Sequence, residues 1–382
     1  MTDTVPTDWE TKTLGEVCSL IMGQSPESES VNGDGVGYPF FQGNADFGRK
    51  YPDVRQWCID PKKLSPSGGI LVSVRAPVGE INTANQECCI GRGLGAIIPE
   101  KIVANFIYQY MFLARKDLVA VSQGSTFQAI NKDDLKDLSI PCPPLGEQEK
   151  IADILTSVDD TIEHTQAQVA KLQDLKTATM NELLTRGIGH TEFRESELGL
   201  IPTTWEIVKI SDVCDIQTGG KDTQDADLNG KYPFFVRSQI EKRINSYSYD
   251  GEAILTAGDG VGTGKVFHYI NGKFDFHQRV YKLSEFKKNV IGKFVYFYFK
   301  KNFLKQVERY SAKGSVDSVR LEMIAGMALV LPPLVEQEKI ADVLTSLDDQ
   351  IESIELKLVQ LESLKKSLMG DLLTGRVRVS VN

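Results

Sequence analysis

Three stretches carry residue types suited to catalysis, and each lacks a necessary part. Gly258-Asp259-Gly260-Val261-Gly262-Thr263-Gly264-Lys265-Val266 is spaced like a phosphate-binding loop, in which backbone N–H groups cradle phosphate oxygens and a hydroxyl holds magnesium. The glycine required five residues before Gly264 is Asp259, and Val266 stands where the hydroxyl residue belongs. Gly91-Arg92-Gly93-Leu94-Gly95 hints at a dinucleotide or methyl-donor loop, but no acidic residue at a suitable distance and no βαβ repeat accompanies it. Pro141-Cys142-Pro143-Pro144 offers a thiol beside prolines, as a cytosine-methylating nucleophile would. Its counterpart later in the chain replaces Cys142 with Leu331, and neither copy has Asn, Asp or Ser before the prolines and an aromatic after them. His164, His190, His268 and His277 show no metal spacing, and the six cysteines form no CxxC pair.

A second kind of chemistry, hydrogen bonding to base edges, is well supplied. Arg and Lys suit guanine, and Asn and Gln suit adenine. Gln42 and Asn44 follow the apolar run Tyr38-Pro39-Phe40-Phe41, and Arg75 and Arg92 sit in Gly/Pro-rich loops. Ser125, Thr126 and Gln128 belong to a polar turn. Later in the chain come Arg237, Gln239, Lys242, Arg243, Lys265, His277, Arg279 and Lys313. The chain as a whole is acidic, net −9, which at first argues against a polyanionic partner. The distribution overturns that argument. Residues 231–309 hold fifteen Lys/Arg against seven Asp/Glu, and residues 40–116 hold ten against six. The acids gather in 147–166 and 336–355. Two basic regions that attract phosphate therefore alternate with two acidic segments that DNA would repel.

These elements repeat. Residues 143–163 recur at 332–352, with 17 of 21 positions identical at an offset of 189. Pro6-Thr7-Asp8-Trp9 echoes Pro202-Thr203-Thr204-Trp205, and Tyr38-Pro39-Phe40-Phe41 echoes Tyr232-Pro233-Phe234-Phe235. Trp9 and Trp205 are read as packing where the chain enters each globular part, not as base-stacking residues. After each proline pair an apolar heptad seam begins. Ile340, Leu344, Leu347, Ile351, Ile354, Leu358, Leu361, Leu368 and Leu372 follow steps of three and four, broken only at Lys365. The first copy gives Ile151, Leu155, Val158, Ile162, Val169, Leu172 and Leu183, with Thr165, Lys176 and Thr179 in the same frame. A helix of about 40 residues spans ~60 Å and needs a partner for such a seam. The nearest candidate is the other copy, packed antiparallel.

The globular parts are mixed. Gly69–Val74 and Glu252–Ala257 read as buried strands, and the all-round apolar runs 106–113 and 294–299 as helices. The expected architecture is α/β (α+β): a pseudo-twofold tandem repeat with two globular domains, 1–145 and 188–335, separated by two long helices, 146–187 and 336–382, packed as an antiparallel coiled coil. No basic n-region opens the sequence and no apolar stretch is long enough to span a membrane, so a reducing cytoplasm is expected.

Two differing domains that enter through Pro-x-x-Trp, leave through Pro-Pro-Leu-x-Glu-Gln-x-x-Ile-Ala and alternate with near-identical helices resemble the specificity subunit of type I restriction–modification systems. The resemblance covers essentially the whole chain. It implies two target recognition domains that read an asymmetric, two-part duplex DNA site, with an unread gap set by the helices. It also implies docking of two modification (methyltransferase) subunits, plus restriction subunits for cleavage. The start of each helix, Glu147, Gln148 and Ile151 with Glu336, Gln337 and Ile340, is the expected docking surface. S-adenosylmethionine is expected on the methyltransferase subunits and no cofactor on this chain. The competing readings are a coiled-coil scaffold with protein-binding heads, and a self-contained methyltransferase or nuclease.

Overall fold

The computed structural model describes residues 6–122, 128–260, 262–311 and 318–380. The chain divides into two compact units, residues 1–167 with 355–382, and residues 168–354. Each unit holds one globular part and one half of each long helix.

The first globular part runs β1 (Glu10–Thr13), α1 (Leu14–Val17), β2 (Cys18–Met22), β3 (Val31–Asn32), β4 (Tyr38–Phe41), β5 (Trp57–Cys58), β6 (Leu64–Ser65), β7 (Ile70–Ser73), β8 (Ile81–Thr83), β9 (Cys88–Ile90), β10 (Leu94–Pro99), α2 (Ala104–Ser122), α3 (Lys132–Lys136) and β11 (Ser139–Cys142), and the first long helix, α4 (Leu145–Leu183), follows it. The second part repeats this plan after a β12 (Phe193–Ser196)–β13 (Gly199–Pro202) hairpin. It runs β14 (Glu206–Lys209), β15 (Asp215–Thr218), β16 (Tyr232–Phe235), β17 (Lys242–Ile244), β18 (Tyr249–Ala257), β19 (Phe267–Phe276), β20 (Val280–Ser284), α5 (Gly292–Ser311), α6 (Leu321–Ala325), β21 (Ala328–Leu331) and the second long helix, α7 (Leu334–Leu372).

In the first unit, sheets ordered β2-β10-β7-β8 and β3-β5-β4-β9-β6 carry the loops of interest; in the second, one sheet ordered β15-β20-β18-β19-β16-β17 does. Both run mainly antiparallel, with one parallel pair each, Phe41 opposite Ile90 and Phe235 opposite Phe276. The strands form where apolar residues run continuously: all four residues of β7 and the last five of β18 are buried. The apolar runs are helices, as expected. Phe106, Ile107, Met111 and Leu118 of α2 join one core, and Phe294, Val295, Phe297, Phe299 and Phe303 of α5 the other.

The heptad seam is an antiparallel pairing within each unit. In the first, Ile151 and Leu155 at the start of α4 share a core with Leu372 near the end of α7. In the second, Ile340 and Leu344 at the start of α7 share a core with Leu184, just past the end of α4. The lysines that interrupt the seam have matched partners. Lys365 Nζ lies 2.6 Å from Asp159, and Lys176 pairs with Asp348. Both the lysines and the aspartates are spaced by the repeat offset of 189. A charge at a seam position costs burial energy and fixes register, because a slipped heptad leaves it unpaired.

Candidate nucleic-acid interface

Two structural devices recur in each unit: a clamp at the helix entrance and a loop edge at the strand ends.

The clamp is built from the repeated Glu-Gln. Glu147 accepts the Trp9 indole N–H at 3.1 Å and two bonds from Arg378 at 2.7 and 2.8 Å. Burial works to raise its carboxyl, but the hydrogen bonds from Arg378 and Trp9 outweigh that and hold it below the usual carboxylate range. Glu336 likewise accepts the Trp205 indole N–H at 2.9 Å, the Ile188 N–H at 2.9 Å and a contact from His190 Nε2 at 2.8 Å. Gln148 accepts the Val103 N–H and donates to the Pro143 carbonyl; Gln337 accepts the Ile291 N–H and donates to the Pro332 carbonyl. The Trp that begins each globular part and the start of its last long helix are thus tied to the long helix that follows it. Both tryptophans are buried, as expected. The expectation that Glu147, Gln148, Ile151, Glu336, Gln337 and Ile340 face a partner does not fit. Five of the six are at most 4% exposed, Glu336 is half-buried, and their polar atoms are spent within the chain.

The loop edge lies where β15 and β18 end and β20 begins, because both run antiparallel to β20; the tight turn after β19, bonded to Phe235 and Gly258, brings the ends of β19 and of its parallel neighbour β16 to the same edge. The same strand directions bring the ends of β2, β4, β7 and β9 to the start of β10. Backbone hydrogen bonds match the two edges residue by residue. Gly91 N–H donates to Phe41 O as His277 N–H does to Phe235 O, and Leu94 N–H to Gly91 O as Val280 N–H to His277 O. Val74 N–H donates to Gly93 O as Gly258 N–H does to Arg279 O. The bridge between Arg75 and Ala129 corresponds to that between Asp259 and Ser318. Gly93 is therefore the counterpart of Arg279, Arg92 of Gln278, and Arg75 of Asp259.

In the first unit this edge gathers Gln42, Asn44, Arg75 and Arg92. Gln42 donates to Ser25 Oγ at 3.0 Å, and the exposed Arg92 lines the same cleft with Ser25, Ser28 and Gln56. Gln128, exposed at φ +42°, adjoins the Ala129 bridge. In the second unit the edge gathers Arg237, Gln239, Lys265 and Arg279. Arg237 Nη1 and Arg279 Nη1 take opposite oxygens of Asp259, at 3.0 and 2.8 Å. Gln239 is anchored by a bond from its Nε2 to Phe267 O, and Lys265 is exposed. Lys242 stands opposite Phe234, close to the end of β16.

Two proposed contacts are misplaced. Arg243 bonds the carbonyls of Gly230 and Lys231, before β16, which is the other end of that strand. His277 is buried at 3% exposure, because the parallel pairing with β16 draws the turn under the loops. Its Nδ1 accepts the Arg279 N–H at 2.9 Å. Burial, reinforced by the Arg237 guanidinium, pushes its pKa below the ordinary value against the pull of Asp222 and Asp259, so it is neutral at pH 7. Its role is to shape the turn. Ser125, Thr126 and Lys313 lie outside the described residues.

Sequence reasoning passed over Ser25 and Asp259. Asp259 lay in plain view as the residue that spoils the phosphate-loop pattern, yet nothing local marks it as the acceptor for two arginines. The glycine runs have steric reasons instead: a Cβ at Gly93 would stand 2.5 Å from the Gln42 carbonyl oxygen. All six cysteines are buried and free. Among the described residues no cluster of His, Cys, Asp or Glu fits a metal ion, and no helix is long and apolar enough to cross a membrane.

The family model for the type I restriction modification DNA specificity domain matches residues 6–174 and 202–363. The type I restriction enzyme MjaVIII specificity subunit of Methanocaldococcus jannaschii is 27% identical over 406 residues, covering 98% of this chain and 94% of that protein. The putative MjaX specificity subunit of the same organism is 42% identical over 185 residues, 47% of this chain and 44% of that protein. The solved S subunit of a type I restriction–modification system from M. genitalium shares the fold, with TM-score 0.70 at 16% identity over 98% of this chain and 97% of that one.

Proposed function

The chain belongs to the type I restriction–modification DNA specificity family, and from that premise we propose that it is the DNA-reading, non-catalytic subunit of a restriction–modification complex. One observation carries the reading furthest. A single backbone frame occurs twice, held by the same hydrogen bonds, and presents different side chains at matched positions: Arg75 against Asp259, Gly93 against Arg279. Such a pair is suited to two unlike half-sites. Basic side chains supply phosphate attraction, and Gln42, Asn44, Arg75, Arg92, Arg237, Gln239, Lys265 and Arg279 are the candidates for base edges. Modification subunits, two per chain, would bring S-adenosylmethionine, and restriction subunits would bring cleavage; the exposed face of the paired helices remains available to them. The complex would act on DNA in the cytoplasm.

The test is reconstitution with the modification subunit. Duplex binding should weaken steeply as salt rises from about 50 to 200 mM, as counterion release requires. Methyl transfer should need both proteins. Methylation by this chain alone, or no duplex binding by the assembled complex, would refute the proposal.

A further inference from the structure

Resting on that DNA-reading function, we propose that Asp259 is a positioning residue for specificity. It holds Arg237 and Arg279 as a preformed pair of guanidinium forks for guanine, so that the half-site read by the second unit contains guanine.

The geometry is that of one acceptor shared by two donors. Both Asp259 oxygens are used, one by each arginine, and the Asp259 side chain is 13% exposed. The arginine side chains are 45% and 61% exposed, so a duplex can reach them. Arg279 is also fixed at its root: its N–H donates to His277 Nδ1 and its carbonyl accepts the Gly258 N–H at 2.8 Å. A guanidinium carries five donors and no acceptor, so one bond to Asp259 leaves a fork free. Guanine presents two acceptors, O6 and N7, in the major groove, and adenine pairs one acceptor with a donor that a guanidinium cannot satisfy. Arms already ordered lose less entropy on binding than free ones. The first unit lacks this device, having arginine in place of the aspartate and glycine in place of Arg279.

A bland alternative makes an opposite prediction. If Asp259 were merely a stray acid on a basic edge, removing its charge would strengthen attraction to every duplex alike. If it positions the arginines, removing the charge weakens cognate binding and leaves unrelated DNA bound as well as before or better.

The experiment uses the full chain assembled with its modification subunit. One probe is a duplex carrying the motif found methylated in host DNA by single-molecule sequencing; the other has the second unit's half-site scrambled. Asp259→Asn should lose about tenfold in affinity for the first probe while binding the second no more weakly. Arg279→Lys keeps the charge and loses the fork; it should lose on the order of 10- to 100-fold, at a guanine position of one half-site only. Equal tightening of both probes by Asp259→Asn would overturn the inference. So would an Arg279→Lys complex that binds the cognate duplex like the wild type, or one that loses affinity uniformly across sequences, the mark of a phosphate contact. Unchanged thermal unfolding of both variants shows that the frame is intact. If the wild-type complex binds neither probe, the DNA-reading function itself falls, and this inference with it.

Discussion

Gln337→Leu separates a structural clamp from a docking surface. Gln337 is 1% exposed. Its Oε1 accepts the Ile291 N–H at 2.9 Å, and its Nε2 donates to the carbonyls of Pro332 at 2.8 Å and Asn289 at 3.1 Å. Leucine has a similar shape and makes none of these bonds. The Ile291 N–H, left without an acceptor, costs about 1–3 kcal/mol, and each deserted carbonyl on the order of 0.5–1 kcal/mol. The added apolar burial returns about 1 kcal/mol. The net loss is therefore about 1–4 kcal/mol, which at roughly 2–4 °C per kcal/mol for a unit of this size lowers its melting temperature by several degrees. Differential scanning calorimetry with hydrogen exchange on peptides of each unit would locate the loss in the second. Gln350→Leu, at an exposed position of α7, is the control and should stay within about 0.5 kcal/mol. Assembly with the modification subunit, measured well below both transitions, should be unchanged. If Gln337→Leu is as stable as the control but fails to assemble, the side chain faces the partner and the clamp argument is wrong.

Two further outcomes follow from burial and charge. Burial pushes the thiols of Cys18, Cys88, Cys89 and Cys214 up to about 12, so at pH 8 a thiol reagent should label almost none of the six cysteines until denaturant is added; fast labelling of any one in the folded protein would contradict the packing. Glu147 has its folded pKa depressed, so its contribution to the first unit is present above the unfolded carboxylate pKa of about 4.3 and lost as pH falls through the lower folded value. Arg378→Met should therefore destabilise that unit at pH 7, with the difference from wild type shrinking towards pH 3.5 in urea titrations; a pH-independent difference would point to lost packing over Trp9 instead.

The long helices were legible because their signals are local: a proline pair, acids in the first turn, apolar residues at steps of three and four. Even the interruptions at Lys176 and Lys365 were visible, though not their partners. Asp159 and Asp348 lie on the opposite helix and only antiparallel packing brings them near. The Glu-Gln pairs misled for a physical reason. Polar side chains are ordinarily exposed, and their burial here depends on tryptophan and backbone groups contributed from far along the chain. The loop edge was legible in composition alone. That Arg237 and Arg279 share a carboxylate, or that His277 is covered, follows from the parallel pairing of β16 with β19, which no short-range pattern announces.

The division between frame and readout also limits how the two edges can be exchanged. The frame rests on backbone bonds and on one glycine in each unit. A Cβ at Gly23 would stand 2.1 Å from the Gly91 carbonyl oxygen, and one at Gly219 2.0 Å from the Phe276 carbonyl oxygen. Neither position tolerates a side chain. The arginines of the Arg237–Asp259–Arg279 cluster, by contrast, are well exposed, and ion pairs with exposed partners contribute little to folding. Its side chains are therefore free to vary without unfolding the unit. Moving Arg279 into the first unit is a different matter. A Cβ on its counterpart there, Gly93, would stand 2.5 Å from the Gln42 carbonyl oxygen, so the arginine would fit only if residues 42 and 43 were rerouted with it. Specificity in this frame should exchange as whole loop sets, β4 end with β9–β10 turn, and not as single residues.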